Sequence, residues 1–499
     1  MAKRLYYSSS SLAAPHIGVI IDDILAAKTA GDEIYWAYCH CGLTSCFMNL
    51  DGYNSICRLC HSMYNEYKRV FGKGVHMLPL KKPRNKTQDN NYDFQNADEL
   101  KSFRYRNVEV GISILSMYYT ATRDLDLNNY DAFHEYAKPL IKEICDLIDT
   151  AYQLVEEIKP DIIIIHNGRL FENRFFYDIA KAMNISFKAV ETVGGYGEPY
   201  AKMSYYDELP HNVQMWDRMI KAIWEQSSES DEEKTRIASS FYEGRRKGQL
   251  MVDVKVYVAD QVKGLLPEGF DPQKRNIAIC TSSQDELAAL GRDNSADQLF
   301  PNQSEAVKYI FQNSPTDIHY YLRIHPNLKG VNFKDHLDLY QYDKYPNVTV
   351  LAPESKVSTY ALVDACEKVI SFGSSVGIEA SYWGKPSILI GHAYYEGVDA
   401  CYVIKRKEDI IPTIEAQLAP KPKLGSLKCA YFLLDRKYKV DKTLININVK
   451  RNHHHWDFTD TTYFKIRGSR TLYQLSYFWH FILMQKFTKP LHRFPWANK

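Results

Sequence analysis

Two stretches of sequence decide the fold: YLRIHPN at residues 321–327 and VISFGSSVGIEASYWGKPSILIG at residues 369–391. The first predicts a buried strand that ends in a basic and an imidazole side chain. The second predicts, in order, a buried strand at Lys368–Ser371, a turn of small residues at Phe372–Gly377, a helix at Ile378–Trp383 and a second buried strand at Ser387–Ile390. This order is a βαβ unit, and it indicates an α/β fold with a parallel sheet.

The two strand ends together indicate a site for a phosphate or a nucleotide. Ligands of such sheets lie at the carboxyl ends of the strands. A turn rich in Gly and Ser presents backbone N–H groups to an anion there, and basic side chains add charge. The candidate residues are Arg323, His325, Pro326, Ser374, Ser375 and Gly377. The alternative is a tight strand-to-helix turn beside a chance His-Pro pair.

The motif RxHPN followed by GSSxGIEAxYxGKPxI resembles the C-terminal domain of bacterial capsule-polysaccharide synthesis glycosyltransferases. More broadly, it resembles GT-B enzymes that use CMP-activated sugars. The resemblance covers residues 270–420 well and the N-terminal half more loosely. It implies that His325-Pro326 and Ser374-Ser375 hold the cytidine phosphate, and that Glu379 accepts the ribose hydroxyls. For Glu379, the alternative is an acid favoured by the helix dipole.

The resemblance also implies metal-independent chemistry, with no cofactor required for catalysis. Helix dipoles and basic side chains would then neutralise the leaving phosphate. Ser282 and Ser283 follow the strand predicted at Asn276–Cys280, so they could reach the same phosphate or the acceptor. For Arg323, pairing with a neighbouring carboxylate is the alternative to supporting the phosphate.

The predicted fold class is α/β and GT-B-like, with two Rossmann-like domains facing a cleft and a C-terminal helical extension. Strand and helix patterns assign residues 1–262 to an N-terminal Rossmann-like domain with a Cys-rich insertion, and the resemblance implies that this domain binds the acceptor. Residues 263–430 form the nucleotide-sugar-binding domain, after a linker rich in turn formers at Pro267–Pro272. Residues 431–499 form a basic and aromatic extension that contains an apolar stretch at Leu472–Phe487.

The catalytic base is expected in the N-terminal domain, at a loop that follows a strand. The candidates, in order of preference, are Glu191 after a predicted strand, His16 at the start of the first helix and Glu198 in the loop GGYGEPY. A carboxylate base would suit an inverting displacement. After the strand Ile162–Ile165 stands an NGR-like motif of the kind the resembled family often shows, and the resemblance implies that Asn167 and Arg169 bind the acceptor or fix the loop.

A cluster of cysteines interrupts the N-terminal domain. Cys57-x-x-Cys60 has the spacing of a zinc half-site, and Cys39, Cys41 or Cys46 could supply the rest of a structural zinc site, with His40 and His61 as further possible ligands. The alternative is a loose cluster of free thiols. A closed zinc site of this kind would stabilise a loop and would take no part in the chemistry.

Charge and hydropathy limit the classes of partner. A net charge of +2 over 499 residues argues against a dedicated nucleic-acid binder. The start of the chain lacks the apolar stretch of a signal peptide, and no run approaches a spanning helix. We therefore expect a cytoplasmic protein. The apolar stretch near the C-terminus either packs back on the domains or contacts the inner face of the plasma membrane as a peripheral helix.

Three functions fit the sequence. The first is a glycosyltransferase of capsular or lipopolysaccharide-type synthesis, using a nucleotide sugar, CMP-activated as for Kdo or sialic acid, and a glycan or lipid-linked acceptor. UDP- and GDP-sugars stay open. The second is a CDP-polyol phosphotransferase of the teichoic-acid type. The third is a non-catalytic scaffold of a capsule assembly and export complex.

Overall fold

The computed structural model describes residues 1–12, 14–81, 92–125, 127–193, 201–210, 212–251, 256–283, 299–331, 333–435, 438–439, 446–451 and 456–462. These residues belong to two compact units. The first contains Met1–Pro210 and the strands from Tyr438 onwards, and the second contains His211–Ala288 and Arg292–Lys437.

The first unit alternates strands and helices along most of its length. Its elements are β1 (Lys3–Ser8), α1 (Ala14–Thr29), β2 (Glu33–Cys39), α2 (Asn54–Phe71), β3 (His76–Leu80), α3 (Ala97–Ser102), α4 (Val110–Thr122), α5 (Tyr130–Ile158), β4 (Ile162–His166), α6 (Phe171–Ala182), β5 (Ser186–Val193) and β6 (Ala201–Tyr206).

The sheet of the first unit is mostly parallel and has the order β3-β2-β1-β4-β5, followed by antiparallel β6. The chain fills one side of β1 with β2 and β3, and then crosses to the other side with β4 and β5. This is the order of a Rossmann-like half, and its switch point lies between β1 and β4. Trp36 and Tyr67 stack with ring centroids 5.4 Å apart in the core that α1 and α2 cover.

The second unit begins with two helices and continues as a second alternating α/β layer. Its elements are α7 (Val213–Gln226), α8 (Asp231–Arg246), β7 (Arg275–Cys280), α9 (Gln303–Asn313), β8 (Ile318–Arg323), α10 (Lys334–Tyr340), β9 (Val348–Leu351), α11 (Thr359–Ala365), β10 (Lys368–Ser371), α12 (Val376–Tyr382), β11 (Ser387–Ile390), β12 (Tyr402–Ile404), α13 (Ile410–Glu415) and α14 (Lys423–Asp435).

The sheet of the second unit is parallel throughout, with the order β9-β8-β7-β10-β11-β12. This is the doubly wound order, in which strands are added first on one side of the first strand and then on the other. The switch point lies between β7 and β10. Side chains of β7 alternate between two cores: Ile277 and Ile279 lie on one face, and Ala278 and Cys280 on the other. Helices cover both faces, as the continuous apolar runs of these strands predict.

The division between the units falls after Pro210, earlier than the boundary at 262 predicted from the turn-rich linker. Packing explains the difference, because α7 and α8 contact α14 within the second unit. In one such contact, the hydroxyl of Tyr242 on α8 donates to the carbonyl of Ser426 at 2.7 Å. The sequence places α14 far downstream, so no local pattern could assign the two helices to the second unit.

Beyond the end of α14 at Asp435, the described part of the C-terminal extension is made of strands. β13 (Tyr438–Lys439) pairs antiparallel with β6, and β14 (Asn446–Arg451) pairs antiparallel with β15 (Trp456–Thr462). The helix predicted at Leu472–Phe487 lies outside the described residues. Within the described residues, no helix combines the length and hydropathy needed to cross a lipid bilayer.

Candidate functional site

The second unit brings its predicted ligand residues to one edge of the sheet. Because β7 lies between β8 and β10, the residues that follow these three strands are neighbours. Ser282 and Ser283 follow β7, His325 follows β8, and the turn at Ser374–Ser375 follows β10. The sequence predicted the members of this group, and the strand order brings them together at the switch point.

His325 is held with one ring nitrogen engaged by its own loop. Its Nδ1 accepts from the backbone N–H of Asn327 at 3.2 Å, and its backbone N–H donates to Thr281 Oγ1 at 2.9 Å. Pro326 opens the short 3-10 turn that makes this contact. The ring of Tyr257 meets the imidazole edge-on, with centroids 5.4 Å apart. Since Nδ1 is an acceptor, the proton of the neutral ring lies on Nε2, which suits donation to a phosphate oxygen.

The turn after β10 requires its two glycines. Gly373 has φ +100°, and a Cβ there would lie 2.7 Å from the carbonyl oxygen of His392. A Cβ on Gly377 would lie 2.4 Å from Ser371 Oγ and 2.5 Å from the hydroxyl of Tyr395. The sequence predicted a Gly and Ser turn that an anion could approach. The structure shows that close packing beneath the turn also demands these residues.

Ser282 and Arg323 are engaged with the protein itself. Ser282 is buried, and its hydroxyl donates to the carbonyl of Phe372 at 2.7 Å, so it ties the end of β7 to the turn after β10. Arg323 is buried, and its Nη1 donates to the carbonyl of Val357 at 3.0 Å. Burial lowers the pKa of Arg323. This carbonyl contact differs from both roles expected for Arg323, the phosphate and a carboxylate.

Glu379 occupies an internal position that differs from the predicted ribose contact. It is 3% exposed, and its Oε1 accepts from Arg245 Nε at 3.1 Å and from Ser375 Oγ at 2.9 Å. Its Oε2 accepts from the hydroxyl of Tyr360. Arg245 Nη2 also donates to Ser375 Oγ at 3.0 Å. The carboxylate therefore fixes α12 and the Ser374–Ser375 turn from below, because burial and these contacts leave it no open face for a ribose.

Arg245 and Tyr360 complete this network, and sequence reasoning did not select them. Arg245 lies on α8, more than a hundred positions before Glu379. Burial disfavours the charged guanidinium, but Glu379 and Tyr360 outweigh that effect and raise the pKa of Arg245. Burial, followed by the charge of Glu379, raises the pKa of Tyr360, so its hydroxyl stays a donor.

The first unit gathers a second group of polar side chains at the carboxyl ends of β4 and β5. The rings of His16 and His166 stack with centroids 4.0 Å apart and planes 17° from parallel. His166 Nε2 lies 3.0 Å from Glu191 Oε1. Two of the three residues, His16 and Glu191, were candidate bases. A lone histidine at a strand end, such as His166, is more commonly structural, and its place between His16 and Glu191 is the new observation.

Glu191 is held from three directions. β5 continues to Val193, so Glu191 lies within the strand, whereas the sequence pattern placed it after the strand. Its carboxylate also accepts from the side-chain amide of Asn167 and from the backbone N–H of Thr192, the latter at 3.0 Å. Burial alone would raise the pKa of Glu191, but the nearby imidazole of His166 and these hydrogen bonds lower it. The residue is therefore an ionised acceptor that orients His166.

Burial, with a further contribution from His166, lowers the pKa of His16 to about 3. His16 is accordingly a neutral imidazole at physiological pH. Ligand atoms of His16, His166 and Glu191 lie within 4.8 Å of one another, and such a donor set also suits a divalent cation. The near-parallel rings of His16 and His166 would have to tilt for their in-plane lone pairs to converge on one ion.

Asn167 and Arg169 fix the loop after β4. Asn167 has φ +57°, and its Oδ1 accepts from the backbone N–H of Arg169 at 2.9 Å. Gly168 has φ +92°, and a Cβ there would lie 2.6 Å from a methyl carbon of Leu209. Asn167 thereby places its amide on Glu191. Of the two predicted roles, this geometry supports the fixing of the loop, and acceptor binding stays a prediction.

Glu172, a residue not selected from the sequence, lies beside this group. It is 3% exposed, and it accepts from Ser9 Oγ at 3.1 Å and from the backbone N–H of Phe47 at 2.8 Å. Burial raises the pKa of Glu172 to about 7. The only sequence signal was its place in the first turn of α6, a common position for an acid. The third candidate base, Glu198, lies outside the described residues.

The cysteines surround the loop between β2 and α2. Cys39 ends β2, Cys46 lies in the loop, and Cys57 and Cys60 lie on α2. In the described part of the chain, the His16 group is the one place where three potential ligand atoms lie within 4.8 Å of one another. The four thiols are thus neighbours that do not form a compact ligand set here, and the zinc site stays a prediction.

Comparison with known proteins gives likenesses in structure alone, since no family model and no curated protein matches the chain. Similar solved structures include Thermosulfurimonas dismutans KpsC, described as a β-Kdo 2,4 transferase, at 13% identity over 54% of this chain and 79% of that one, with a TM-score of 0.35. KpsC described as a β-Kdo 2,7 transferase is 13% identical over 57% and 80%, with a TM-score of 0.33.

The glycosyltransferase SsfS6 of Streptomyces sp. SF2575, complexed with thymidine diphosphate, is 11% identical over 87% of this chain and 95% of that one, with a TM-score of 0.21. These neighbours are transferases of Kdo and a further glycosyltransferase. At such TM-scores, the assignment of two Rossmann-like units rests on the strand orders of this chain.

Proposed function

We propose that this chain is a glycosyltransferase of cell-surface polysaccharide synthesis that works without a catalytic metal and takes its sugar from a nucleotide donor. One observation carries the proposal: the ends of β8, β7 and β10 are adjacent at a doubly wound switch point. They carry His325, Ser282-Ser283 and Ser374-Ser375. An imidazole N–H and a Ser-rich turn at one such edge suit the phosphate of a nucleotide.

The proposed donor is a CMP-activated acidic sugar of the Kdo or sialic acid type. The resemblance of RxHPN and GSSxGIEA to enzymes that use such donors supports this choice. The leaving group CMP carries one phosphate. His325 Nε2–H and the backbone N–H groups of the Ser374–Ser375 turn are donors suited to a single phosphate, since the Ser375 hydroxyl is held by Arg245 and Glu379. Stabilising the charge that develops on the leaving phosphate is the main catalytic task of this unit.

The proposed acceptor chemistry belongs to the first unit. His166, oriented by the Glu191 carboxylate, takes the proton of an acceptor hydroxyl on Nδ1. The hydroxyl oxygen bonds to the anomeric carbon as the bond from that carbon to the phosphate oxygen breaks, and CMP leaves. This single displacement inverts the anomeric configuration. Glu191, the preferred base on sequence grounds, acts here as the residue that positions His166.

A nucleotide-binding experiment tests the proposal. Thermal unfolding is followed with CMP, CDP, UMP, UDP and GDP on the wild type, His325→Ala and the control His319→Ala. His319 lies on β8 and bonds Thr349 Oγ1 at 2.9 Å, away from the carboxyl ends of the strands. We expect CMP to raise the melting temperature of the wild type and the control, and to have little effect on His325→Ala.

Other outcomes select among the alternatives. Stabilisation by UDP or GDP would keep the glycosyltransferase and change the donor. A CDP-polyol phosphotransferase also releases CMP, so the nucleotide response alone does not distinguish it; its acceptor product retains a phosphate, which mass spectrometry detects. If no nucleotide stabilises the wild type, the catalytic proposal fails and the scaffold is favoured.

We further propose that the enzyme works at the inner face of the plasma membrane on a glycan or lipid-linked acceptor. The basic residues Arg467, Arg470, Lys486 and Lys489 flank the apolar stretch of the tail and support this idea. Vesicles of zwitterionic lipid, with and without anionic lipid, provide the test. We expect cosedimentation with the anionic vesicles alone, and no binding to either would remove the membrane contact.

A further inference from the structure

The first unit brings together three side chains of the types that bind zinc. His16 lies on α1, His166 ends β4, and Glu191 lies in β5. One potential ligand atom from each lies within 4.8 Å of the other two. Two imidazoles and one carboxylate are the protein ligands of zinc sites in which water takes the fourth position. All three side chains are partly exposed, so an ion can reach them from the solvent.

The spacing of these atoms is close to that of a tetrahedral zinc site. Zinc binds nitrogen and oxygen at about 2.0–2.1 Å, so two ligand atoms of a tetrahedral site lie about 3.3 Å apart. His166 Nε2 and Glu191 Oε1 are 3.0 Å apart, so this pair can accept an ion with little movement. The ligand atom of His16 lies within 4.8 Å of both, so its ring must tilt and approach by at most about 1.5 Å.

Residues behind the donor atoms hold the carboxylate in place. The side-chain amide of Asn167 donates to Glu191, and the backbone N–H of Thr192 donates to the same carboxylate at 3.0 Å. Asn167 is itself fixed, because its Oδ1 accepts from the backbone N–H of Arg169 at 2.9 Å. Outer partners of this kind orient metal ligands and typically contribute about 10–100-fold to metal affinity.

We propose that His16, His166 and Glu191 bind a zinc ion, with water as the fourth ligand, and that this ion switches off His166 as a base. The inhibitory effect rests on the proposed glycosyl transfer, in which Nδ1 of His166 takes the proton of the acceptor. Zinc on Nε2 displaces the proton that faces Glu191, and the neutral ring then carries its one proton on Nδ1. Since Nδ1 has become a donor, the acceptor hydroxyl cannot lose its proton to it. Zinc is therefore an inhibitor of the proposed reaction and not its cofactor.

Cobalt(II) distinguishes this site from the cysteine loop of the same unit. Zinc in the loop would be bound by thiolates, whereas the proposed site supplies only nitrogen and oxygen. Cobalt bound by thiolates shows an ultraviolet charge-transfer band in addition to its visible d–d bands, and cobalt bound by nitrogen and oxygen shows the d–d bands alone. The full chain is freed of metal with a chelator and titrated with cobalt. We expect d–d bands without charge transfer, and their loss when zinc, which binds such sites more tightly, is added.

Variants assign the bound metal to its ligands. His16→Gln should weaken zinc binding by at least about 100-fold, since even outer partners of metal ligands are worth 10–100-fold. His134→Gln, which removes the imidazole that contacts Asp93, is the control and should leave the affinity unchanged. Cys57→Ser should leave the cobalt spectrum unchanged, because its thiol belongs to the loop.

Two measurements on the wild type need no variant. In the first, diethyl pyrocarbonate modifies histidines, and peptide mapping locates them. Zinc should protect His16 and His166 and leave the modification of His134 unchanged. In the second, sugar transfer by the metal-free chain is followed as zinc is added. We expect kcat to fall by about 10²–10⁴-fold, the contribution typical of a general base, and a chelator to restore it. CMP binding should not change.

Several results would overturn the proposal. A cobalt spectrum with only thiolate character that is lost in Cys57→Ser would place the metal in the loop. Zinc that does not protect His16 and His166 would remove the site, and zinc that protects them while kcat stays unchanged would remove the inhibition. The proposed function fails separately: a chain that binds zinc through these histidines but transfers no sugar without metal keeps the zinc site and loses the glycosyltransferase.

Discussion

The guanidinium of Arg245 and the carboxylate of Glu379 form a buried ion pair, with Nη2 and Oε1 3.0 Å apart and the side chains 12% and 4% exposed. The pair joins α8 to α12 within the second unit and holds the Ser375 hydroxyl between its members. Removing one partner leaves the other charge buried and uncompensated. Breaking such a pair typically costs about 3–5 kcal/mol.

We therefore expect Glu379→Gln to lower the free energy of unfolding by about 3 kcal/mol or more. The adjacent exposed pair of Arg246 with Asp364, whose side chains are 32% and 45% exposed, provides a matched control. Asp364→Asn should cost less than about 1 kcal/mol. Urea unfolding measures both. A Glu379→Gln variant of wild-type stability that binds nucleotide weakly would contradict the internal role and restore the ribose contact.

The turn after β10 gives a second prediction. Gly377→Ala places a methyl group 2.5 Å from the hydroxyl of Tyr395, so we expect a loss of about 1–3 kcal/mol from overpacking. Tyr395→Phe in the same chain removes that oxygen and should recover part of the loss. A double-mutant cycle by urea unfolding measures the coupling. Additive effects of the two substitutions would show that the contact with Tyr395 is not the cause.

The second sheet illustrates how far sequence reasoning reaches. The strands predicted at Lys368–Ser371 and Ser387–Ile390 have the same bounds in the structure. These strands are short runs of apolar and β-branched residues between turn formers, so the local pattern suffices to define them. The Gly and Ser turn was predictable for the same reason, because its composition is a local property.

The partners of the candidate residues were not predictable. Arg245 reaches Glu379 across 134 positions, and Ser9 reaches Glu172 across 163. Such contacts depend on the order of strands and the packing of helices. Neither can be inferred from the local pattern of apolar residues in the sequence. His166 illustrates the consequence. A lone histidine at a strand end carries no local signal for a role, and only the register of β4 against β5 places it beside Glu191.

The raised pKa of Glu172 predicts that the free energy of unfolding falls as the pH rises. Burial raises its pKa from 4.5 to about 7, so the folded state holds a proton that the unfolded state releases. The stabilisation is present below about pH 4.5 and is lost as the pH rises to about 7, with a total of about 3 kcal/mol. The difference in unfolding free energy between wild type and Glu172→Gln should follow this window.

Glu143→Gln is the matched control for Glu172, because Glu143 accepts from the backbone N–H of Thr44 in the same loop at 2.7 Å. It measures the effect of neutralising a carboxylate that holds this segment. If both variants show the same pH dependence of the unfolding free energy relative to wild type, the protonation of Glu172 is not its cause.

The lowered pKa of His16 predicts the opposite trend: the free energy of unfolding falls as the pH falls. Its pKa falls from 6.5 to about 3 on folding, so the unfolded state takes up a proton before the folded state does. Stability is present above pH 6.5 and is lost on acidification, by about 1–2 kcal/mol on reaching pH 5. His16→Gln should flatten this decline in urea titrations. His134→Gln, at a surface contact with Asp93, controls for the loss of an imidazole. A decline unchanged in His16→Gln would contradict the assignment.

The contact between Glu191 and His166 gives the prediction that bears most directly on mechanism. A glutamine at position 191 keeps the size of the side chain but removes the charge that orients and supports the imidazole, so Glu191→Gln should lower kcat about 10²–10⁴-fold. CMP binding should be unchanged, because the nucleotide belongs to the other unit in the proposed function.

Asp22→Asn, which removes the partner of Lys202 in the same unit, is the control and should keep kcat within about threefold. A parallel loss of CMP binding in Glu191→Gln would indicate general misfolding. An unchanged kcat with intact binding would mean that His166 does not need Glu191, and the assignment of the base to this pair would then be wrong.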